Sequence, residues 1–339
     1  MSLTKRLIAT DAAGGADGSA NFTPKLYSGG SAGQVVDVGF QPDLIIGKRL
    51  DSAEHWWVND VARSGKSLFL NLDNTEISFQ YTTPNSDGFV VNATGGVHNA
   101  GNLVAYCFKG GGSAVTNGNG TVASTVSANQ AAGFSIVKFS NNNSTTNTFG
   151  HGLGGQPELV FIKGLNVQSD WFTYVDLLGK TKRLKWNTTD IQSSWNTNDG
   201  TNTPTGINST TLSFAYSSTS YNFIAYCFRS IVGYQKIGTY EGNANATGPI
   251  VTTGFRPRFL MIKNVDSEES GGAAWLVYDS LRSTSNPRDK RIYPNVNSIE
   301  LQNDNYDLDF NDDGFQIKSY SLNYGYNNAN QTYLYLAIA

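Results

Sequence analysis

The run Gly39-Phe40-Gln41-Pro42-Asp43-Leu44-Ile45-Ile46-Gly47-Lys48 decides the fold, because the chain carries it three times. Its counterparts are Gly155-Gln156-Pro157-Glu158-Leu159-Val160-Phe161-Ile162-Lys163 and Gly254-Phe255-Arg256-Pro257-Arg258-Phe259-Leu260-Met261-Ile262-Lys263. In all three the lysine follows the proline by six residues. A proline, a short apolar run and then a lysine read as a loop opening into a strand buried over much of its length.

Three further blocks recur in the same order, and such self-similarity is the mark of a repeat architecture. An aromatic strand ends in aspartate: Trp56-Trp57-Val58-Asn59-Asp60, Trp171-Phe172-Thr173-Tyr174-Val175-Asp176 and Trp275-Leu276-Val277-Tyr278-Asp279. A lysine-to-asparagine block follows at fixed spacing, Lys66 to Asn71, Lys182 to Asn187 and Lys290 to Asn295. Ser86-Asp87-Gly88-Phe89 and Asp312-Asp313-Gly314-Phe315 are turns leading into a strand, with Thr205-Gly206-Ile207 in that place in the second copy. Each copy closes on an apolar strand, Leu103 to Phe108, Phe223 to Phe228 and Tyr333 to Ile338.

No segment with a 3.6-residue apolar period is long enough for a substantial helix, and each copy offers several short strands between turn signals. The expected fold is therefore all-β, with three tandem diverged antiparallel β-sandwich, jelly-roll-like domains. The boundaries read as an N-terminal arm or docking segment over 1–24, repeat one over 25–112, a Gly/Ser/Asn-rich linker over 113–131, repeat two over 132–230 and repeat three over 231–339.

Composition agrees with a turn-rich β protein. Charged residues are 15%, below the ~25% of an average soluble chain, while 12% aromatics remain to fill cores. Asn, Ser, Thr and Gly must then supply the polar surface, and these residues favour turns. The net charge of −3, with basic residues scattered, gives no footprint for a phosphate backbone, so nucleic acid is excluded as an expected partner. No apolar run reaches the ~18–20 residues of a membrane span, and Leu7-Ile8-Ala9 is too short for a signal-peptide core. Cys107 and Cys227 occupy equivalent places in two copies and read as small buried thiols.

The familiar patterns of site chemistry are each incomplete in this chain. Asp309-Phe310-Asn311-Asp312-Asp313-Gly314 begins like a calcium loop, but its twelfth position is Tyr320 where a bidentate glutamate belongs, so it reads as a turn. Ser64-Gly65-Lys66-Ser67 imitates the end of a P-loop without the leading glycine or the helix. His55, His98 and His151 lie far apart in non-equivalent loops and read as solvated. The recurring Asp60, Asp176 and Asp279, and Lys48, Lys163 and Lys263, read as residues that hold the fold, since one active site does not need its parts in every copy. Trp56, Trp171 and Trp275 read as core. Trp195, in the Asn/Thr-rich loop of copy two, is the one candidate ligand-binding residue, as a surface aromatic able to stack on a sugar.

The succession Gly-Phe-x-Pro-Asp-Leu, Trp-x-Val-x-Asp, Asp-Gly-Phe and Val-Ala-Tyr-Cys-Phe resembles a repeat domain of uncharacterised virion proteins of marine and cyanobacterial tailed bacteriophages. The likeness covers residues from about 25 to 339 and is weakest in copy two, which lacks the Gly-Phe and Asp-Gly-Phe signatures. It implies a phage structural or tail-appendage protein, of tail-fibre or receptor-binding type, with no catalytic residues to carry over. The expectations that follow are no enzyme activity, no cofactor, a place in the virion, other tail or capsid proteins and a host surface glycan or receptor as partners, and a homo-oligomer such as a trimer. A head decoration or capsid spike is the alternative, and a glycan-binding or depolymerase domain a third class, which would need paired carboxylates facing a groove.

Overall fold

A computed structural model describes residues 18–142, 147–195, 206–214, 219–267, 274–302, 306–318 and 326–339. The expected arm over 1–24 falls largely outside these residues, as do Tyr320 and most of the Asn/Thr loop after Trp195.

The described residues are almost entirely strands and turns, and the ladders between named strands are antiparallel, with a single parallel bridge from Val122 to Phe149. Copy one contributes β1 (Phe22–Ser28), β2 (Val35–Asp37), β3 (Leu44–Arg49), β4 (Trp57–Asp60), β5 (Leu68–Phe69), β6 (Thr82–Asn85), β7 (Gly88–Val91) and β8 (Asn102–Phe108). Two more strands follow, β9 (Val115–Asn117) and β10 (Ser124–Asn129). Copy two holds β11 (Phe134–Ser140), β12 (Thr148–Gly150), β13 (Leu159–Gly164), β14 (Phe172–Val175), β15 (Lys182–Lys185), β16 (Ser193–Ser194), β17 (Thr211–Ser213) and β18 (Asn222–Phe228). Copy three holds β19 (Gln235–Glu241), β20 (Ile250–Thr252), β21 (Phe259–Asn264), β22 (Trp275–Asp279), β23 (Lys290–Arg291), β24 (Leu301–Gln302), β25 (Leu308–Asn311), β26 (Gly314–Ile317) and β27 (Thr332–Ile338).

The same strand order recurs. The large sheets run β1-β8-β3-β4-β5, β11-β18-β13-β14-β15 and β19-β27-β21-β22, the second being extended by β10-β9 at one side and β16 at the other. Each is accompanied by a small sheet, β2-β7-β6, β12-β17 or β20-β26-β25. Residues 113–131 are thus not a free linker. β10 pairs with β11 from Thr125 to Asn129, because the edge of an existing sheet satisfies its backbone whatever its composition. Likewise residues 22–24 of the expected arm belong to β1, and Phe22 is fully buried.

Alternation along the central strands explains their unbroken apolar runs. Leu44 and Ile46, Leu159 and Phe161, and Phe259 and Met261 point into one core shared by all three copies. Their neighbours Ile45, Val160 and Ile162, and Leu260 and Ile262, point outward into a separate core beneath each small sheet. Since side chains alternate across a sheet, a strand buried on both faces must be apolar at every position. The closing strands obey the same rule: Val104, Tyr106 and Phe108 face the shared core, and Ala105 and Cys107 the outer one. Both cysteines are buried and free, as expected.

The Asp-Gly-Phe signature has a steric cause. A Cβ on Gly88 would lie 2.0 Å from the Val36 carbonyl oxygen, and one on Gly314 the same 2.0 Å from that of Val251. Only glycine lets the strand of the small sheet approach so closely. In copy two that register belongs to Thr211–Ser213, which pairs with Thr148–Gly150, so the expected match with Thr205-Gly206-Ile207 is corrected. There the glycine, Gly150, has moved to the opposite strand.

Candidate functional site

The repeated residues meet where neighbouring copies meet. The indole N–H of Trp171 donates to Phe69 O of copy one at 3.1 Å, that of Trp275 to Lys185 O of copy two at 2.9 Å, and that of Trp56 to Tyr293 O of copy three at 3.0 Å. Each tryptophan is held in turn from its own copy: the Asn71, Asn187 and Asn295 side-chain oxygens accept from the backbone N–H of Trp56, Trp171 and Trp275 at 3.1, 2.8 and 3.0 Å. That contact accounts for the asparagine that ends each lysine-to-asparagine block. Backbone bonds run the other way, from Glu76 to Leu165, Gln192 to Val265 and Glu300 to Leu50. The three seams therefore close a ring around the shared core.

The repeated lysines are buried at these seams. Lys163 Nζ donates to Asp73 O, Gly164 O and Ser169 O, and Lys263 Nζ to Thr189 O of the preceding copy, while Lys48 bonds Arg49 O and Ser52 O within its own. Three acceptors suit the three donors of an ammonium. Burial nevertheless pulls Lys48 and Lys163 down to about 8.

The repeated aspartates anchor a polar lock at two seams. Tyr226 Oη donates to Asp60 Oδ2 at 2.7 Å, and Arg63 Nε reaches the same oxygen at 2.8 Å. Tyr106 bonds Asp279 at 2.7 Å, with Arg282 Nε at 2.5 Å. Burial and the adjoining aspartate hold both tyrosines neutral, with their pKa values pushed far up. The cost that burial puts on the two guanidinium charges is outweighed by Asp60 and Asp279, whose attraction raises the arginine pKa values. Glu76 and Glu300 add to the arginines on their outer side at 3.8 and 2.9 Å.

The third seam lacks all three partners. Tyr becomes Leu336, Arg becomes Gly179 and Glu becomes Gln192, and Asp176 turns to Tyr174 Oη at 2.6 Å and Gln156 Nε2 at 2.9 Å within copy two. Around the axis, Leu70, Trp186 and Pro294 stand in equivalent places, and with Ile46, Phe161 and Leu336 among others they line an apolar void of about 30 Å³.

Several sequence expectations change. Trp195 is no surface aromatic: it is 6% exposed, its indole N–H donates to Lys182 O, and it packs on Phe172 and Phe214 with Arg183 over its ring. Its flanks are polar, and Ser193 and Ser194 are indeed exposed, but Trp195 itself turns into the outer core of copy two. His98 and His151 are buried rather than solvated; His98 Nε2 pairs with Tyr27 Oη, and burial lowers both pKa values, that of His98 to about 4. Asp309–Asn311 and Gly314–Ile317 form a plain hairpin, and the described residues hold no cluster of three or more metal-ligating side chains.

One place breaks the threefold pattern in a way that sequence inspection missed. Asp43, at the start of β3, is buried beneath the glycines that lead to β9. Its Oδ2 accepts from Gly112 N–H at 3.0 Å, and its Oδ1 has no hydrogen-bond partner. Burial raises its pKa, opposed by the Gly112 and Gly110 N–H groups and by Lys109. A cleft of about 560 Å³ opens there, lined by Gln41, Asp43, Lys109, Gly110–112, Ala128, Asn129 and Gln130. A second, of about 440 Å³, shares Gln41 and runs past Ser64, Gln80, Thr83, Ser113 and Thr125. The equivalent Glu158 of copy two is fully engaged by the Ser230 N–H and hydroxyl, and copy three has Arg258 instead.

A family model described as a domain of unknown function (DUF7483) matches residues 17–339. The chain belongs to this DUF7483 family. The match runs unbroken through all three copies and through β9 and β10, as expected of a unit whose copies share one core. No curated protein and no solved structure matches the chain.

Proposed function

We propose that this chain is a bacteriophage virion structural protein, a tail appendage of the tail-fibre or receptor-binding type that contacts the host surface. On this reading each copy is a jelly-roll-like sandwich unit whose large sheet turns its inner face to the shared core. The observation that carries the proposal is where the repeated side chains lie. The three repeated tryptophans, with Lys163, Lys263, Asp60 and Asp279, are buried at the seams, occupied in joining one copy to the next. Residues reused in that way make a rigid body, and a rigid body lets exposed Asn-, Ser- and Gly-rich loops vary for recognition. The resemblance to tailed-phage virion repeats points the same way.

The role is non-enzymatic, and the partners are tail or capsid proteins and a host surface glycan or receptor. A homo-oligomer would multiply weak contacts with the host. The test is immunogold electron microscopy of virions together with competition for host adsorption by the purified protein. Label on the tail and blocked adsorption are expected. Label confined to the head would replace this reading with that of a capsid decoration.

A further inference from the structure

We propose that the paired clefts of copy one form a binding groove for a neutral, hydroxyl-rich saccharide, with Gln41 at its centre and Asp43 beneath it. The inference rests on the adsorption reading and names the ligand class for it.

The first support is the unmatched polarity of the floor. Asp43 is 2% exposed, yet one carboxylate oxygen has no partner. A buried acceptor left unmade costs free energy, and a ligand hydroxyl that reaches it recovers that cost. The fold does not require it, since Glu158 in copy two has both oxygens engaged. The second support is the cover. Gly110, Gly111 and Gly112 line the cleft together with Asp43 and set no side chain between its carboxylate and the opening.

The third support is chemical balance. The lining mixes an acceptor-only carboxylate, the donor-only ammonium of Lys109 and the amides of Gln41 and Gln130, which do both. A sugar hydroxyl both donates and accepts, and so matches such a wall. An anionic ligand would meet Asp43, and a bare cation would meet Lys109 with one carboxylate to hold it. The neighbouring cleft continues with the hydroxyls of Ser64, Thr83, Ser113 and Thr125 and the amide of Gln80, set among Val61, Ala62, Pro84 and Ala114 and beside Asp60, whose carboxylate already accepts from Tyr226 and Arg63. At about 560 and 440 Å³ the two parts are within the range of small-ligand sites, roughly 300–1,000 Å³.

The test is a titration of the full chain, followed by its backbone amide NMR spectrum, with glucose, galactose and mannose, their neutral trisaccharides, and glucuronate as the charged comparison. Saturable millimolar shifts at Gly110, Gly111 and Gly112 are expected with at least one neutral trisaccharide, and weaker ones with glucuronate. Asp43→Ala should abolish saturation. Gln41→Ala, at an exposed position that leaves folding alone, should weaken binding by about fivefold, the loss of one hydrogen bond. Absence of saturable shifts with every neutral probe, or unchanged binding in both variants, overturns the inference. A protein that blocks adsorption but binds no saccharide sinks this inference and leaves the adsorption reading standing. A protein that binds at the cleft but does not block adsorption does the reverse.

Discussion

Tyr226 and Asp60 lie 166 residues apart in sequence, yet the tyrosine hydroxyl donates to the carboxylate at 2.7 Å in the buried seam between copies two and one. Tyr106 and Asp279 repeat the bond at the seam between copies one and three, and Leu336 ends the series at the last seam. Tyr226→Phe and Tyr106→Phe should each lower stability by about 1–2 kcal/mol, the scale for removing one partner of a buried charged acceptor. Urea unfolding of each variant checks this. Hydrogen exchange should also rank the seams, with the Gln192 amide exchanging faster than those of Glu76 and Glu300, because only its seam lacks the lock. Equal protection at all three would contradict that ranking.

The shared core predicts that the copies do not fold apart. Leu159, Phe161, Trp171, Tyr226 and Phe228 are buried against side chains of the other two copies. A fragment spanning residues 132–230 would present that face to water. We expect it to aggregate or to lack fixed tertiary packing, and the full chain to unfold in one calorimetric transition with matching van't Hoff and calorimetric enthalpies. Three separate transitions would show independent units.

The axial void offers a stabilising change. Val277 lines it, and one added methylene fits about 30 Å³. Val277→Ile should gain roughly 0.5–1 kcal/mol, as cavity-filling changes do, whereas Phe161→Ala should lose about 3–5 kcal/mol by enlarging the void. Thermal melting of the two variants would decide both.

Acid should weaken the fold through His98. Its folded pKa of about 4 lies below the unfolded value of 6.5, so between these the unfolded chain binds more protons. Stability from this group is complete above pH 6.5 and is lost as pH falls toward 4, by about 3 kcal/mol. His98→Gln should flatten that part of the pH–stability curve. His151, also lowered by burial, contributes in the same direction.

Trp195→Ala tests the burial of the residue that sequence reading had placed on the surface. A loss of about 3–5 kcal/mol is expected on truncating a core tryptophan, with saccharide binding at the Asp43 cleft unchanged in whatever protein remains folded. A variant of undiminished stability would return Trp195 to the surface.

The threefold repetition, the all-β character, the buried cysteines and the structural place of Trp56, Trp171 and Trp275 were legible in the sequence. These depend on local pattern: apolar runs, turn residues and constant spacing are written along the chain. The sequence could not say that the copies share one core, because an apolar run buried against a neighbouring copy looks the same as one buried within its own sandwich. Nor could it show that Asp60 and Tyr226 are partners, since the contact joins different copies at a distance that no spacing rule spans. Residues 113–131 looked like a linker because small and polar residues, Ala, Ser, Thr, Asn and Gly, make up most of them, and only the open edge of β11 made part of them a strand. The Asp43 cleft arises from that same crossing. Asp43 belongs to a motif present in every copy, and tertiary structure alone decided that here the carboxylate would be covered by glycines and left with an unmatched oxygen.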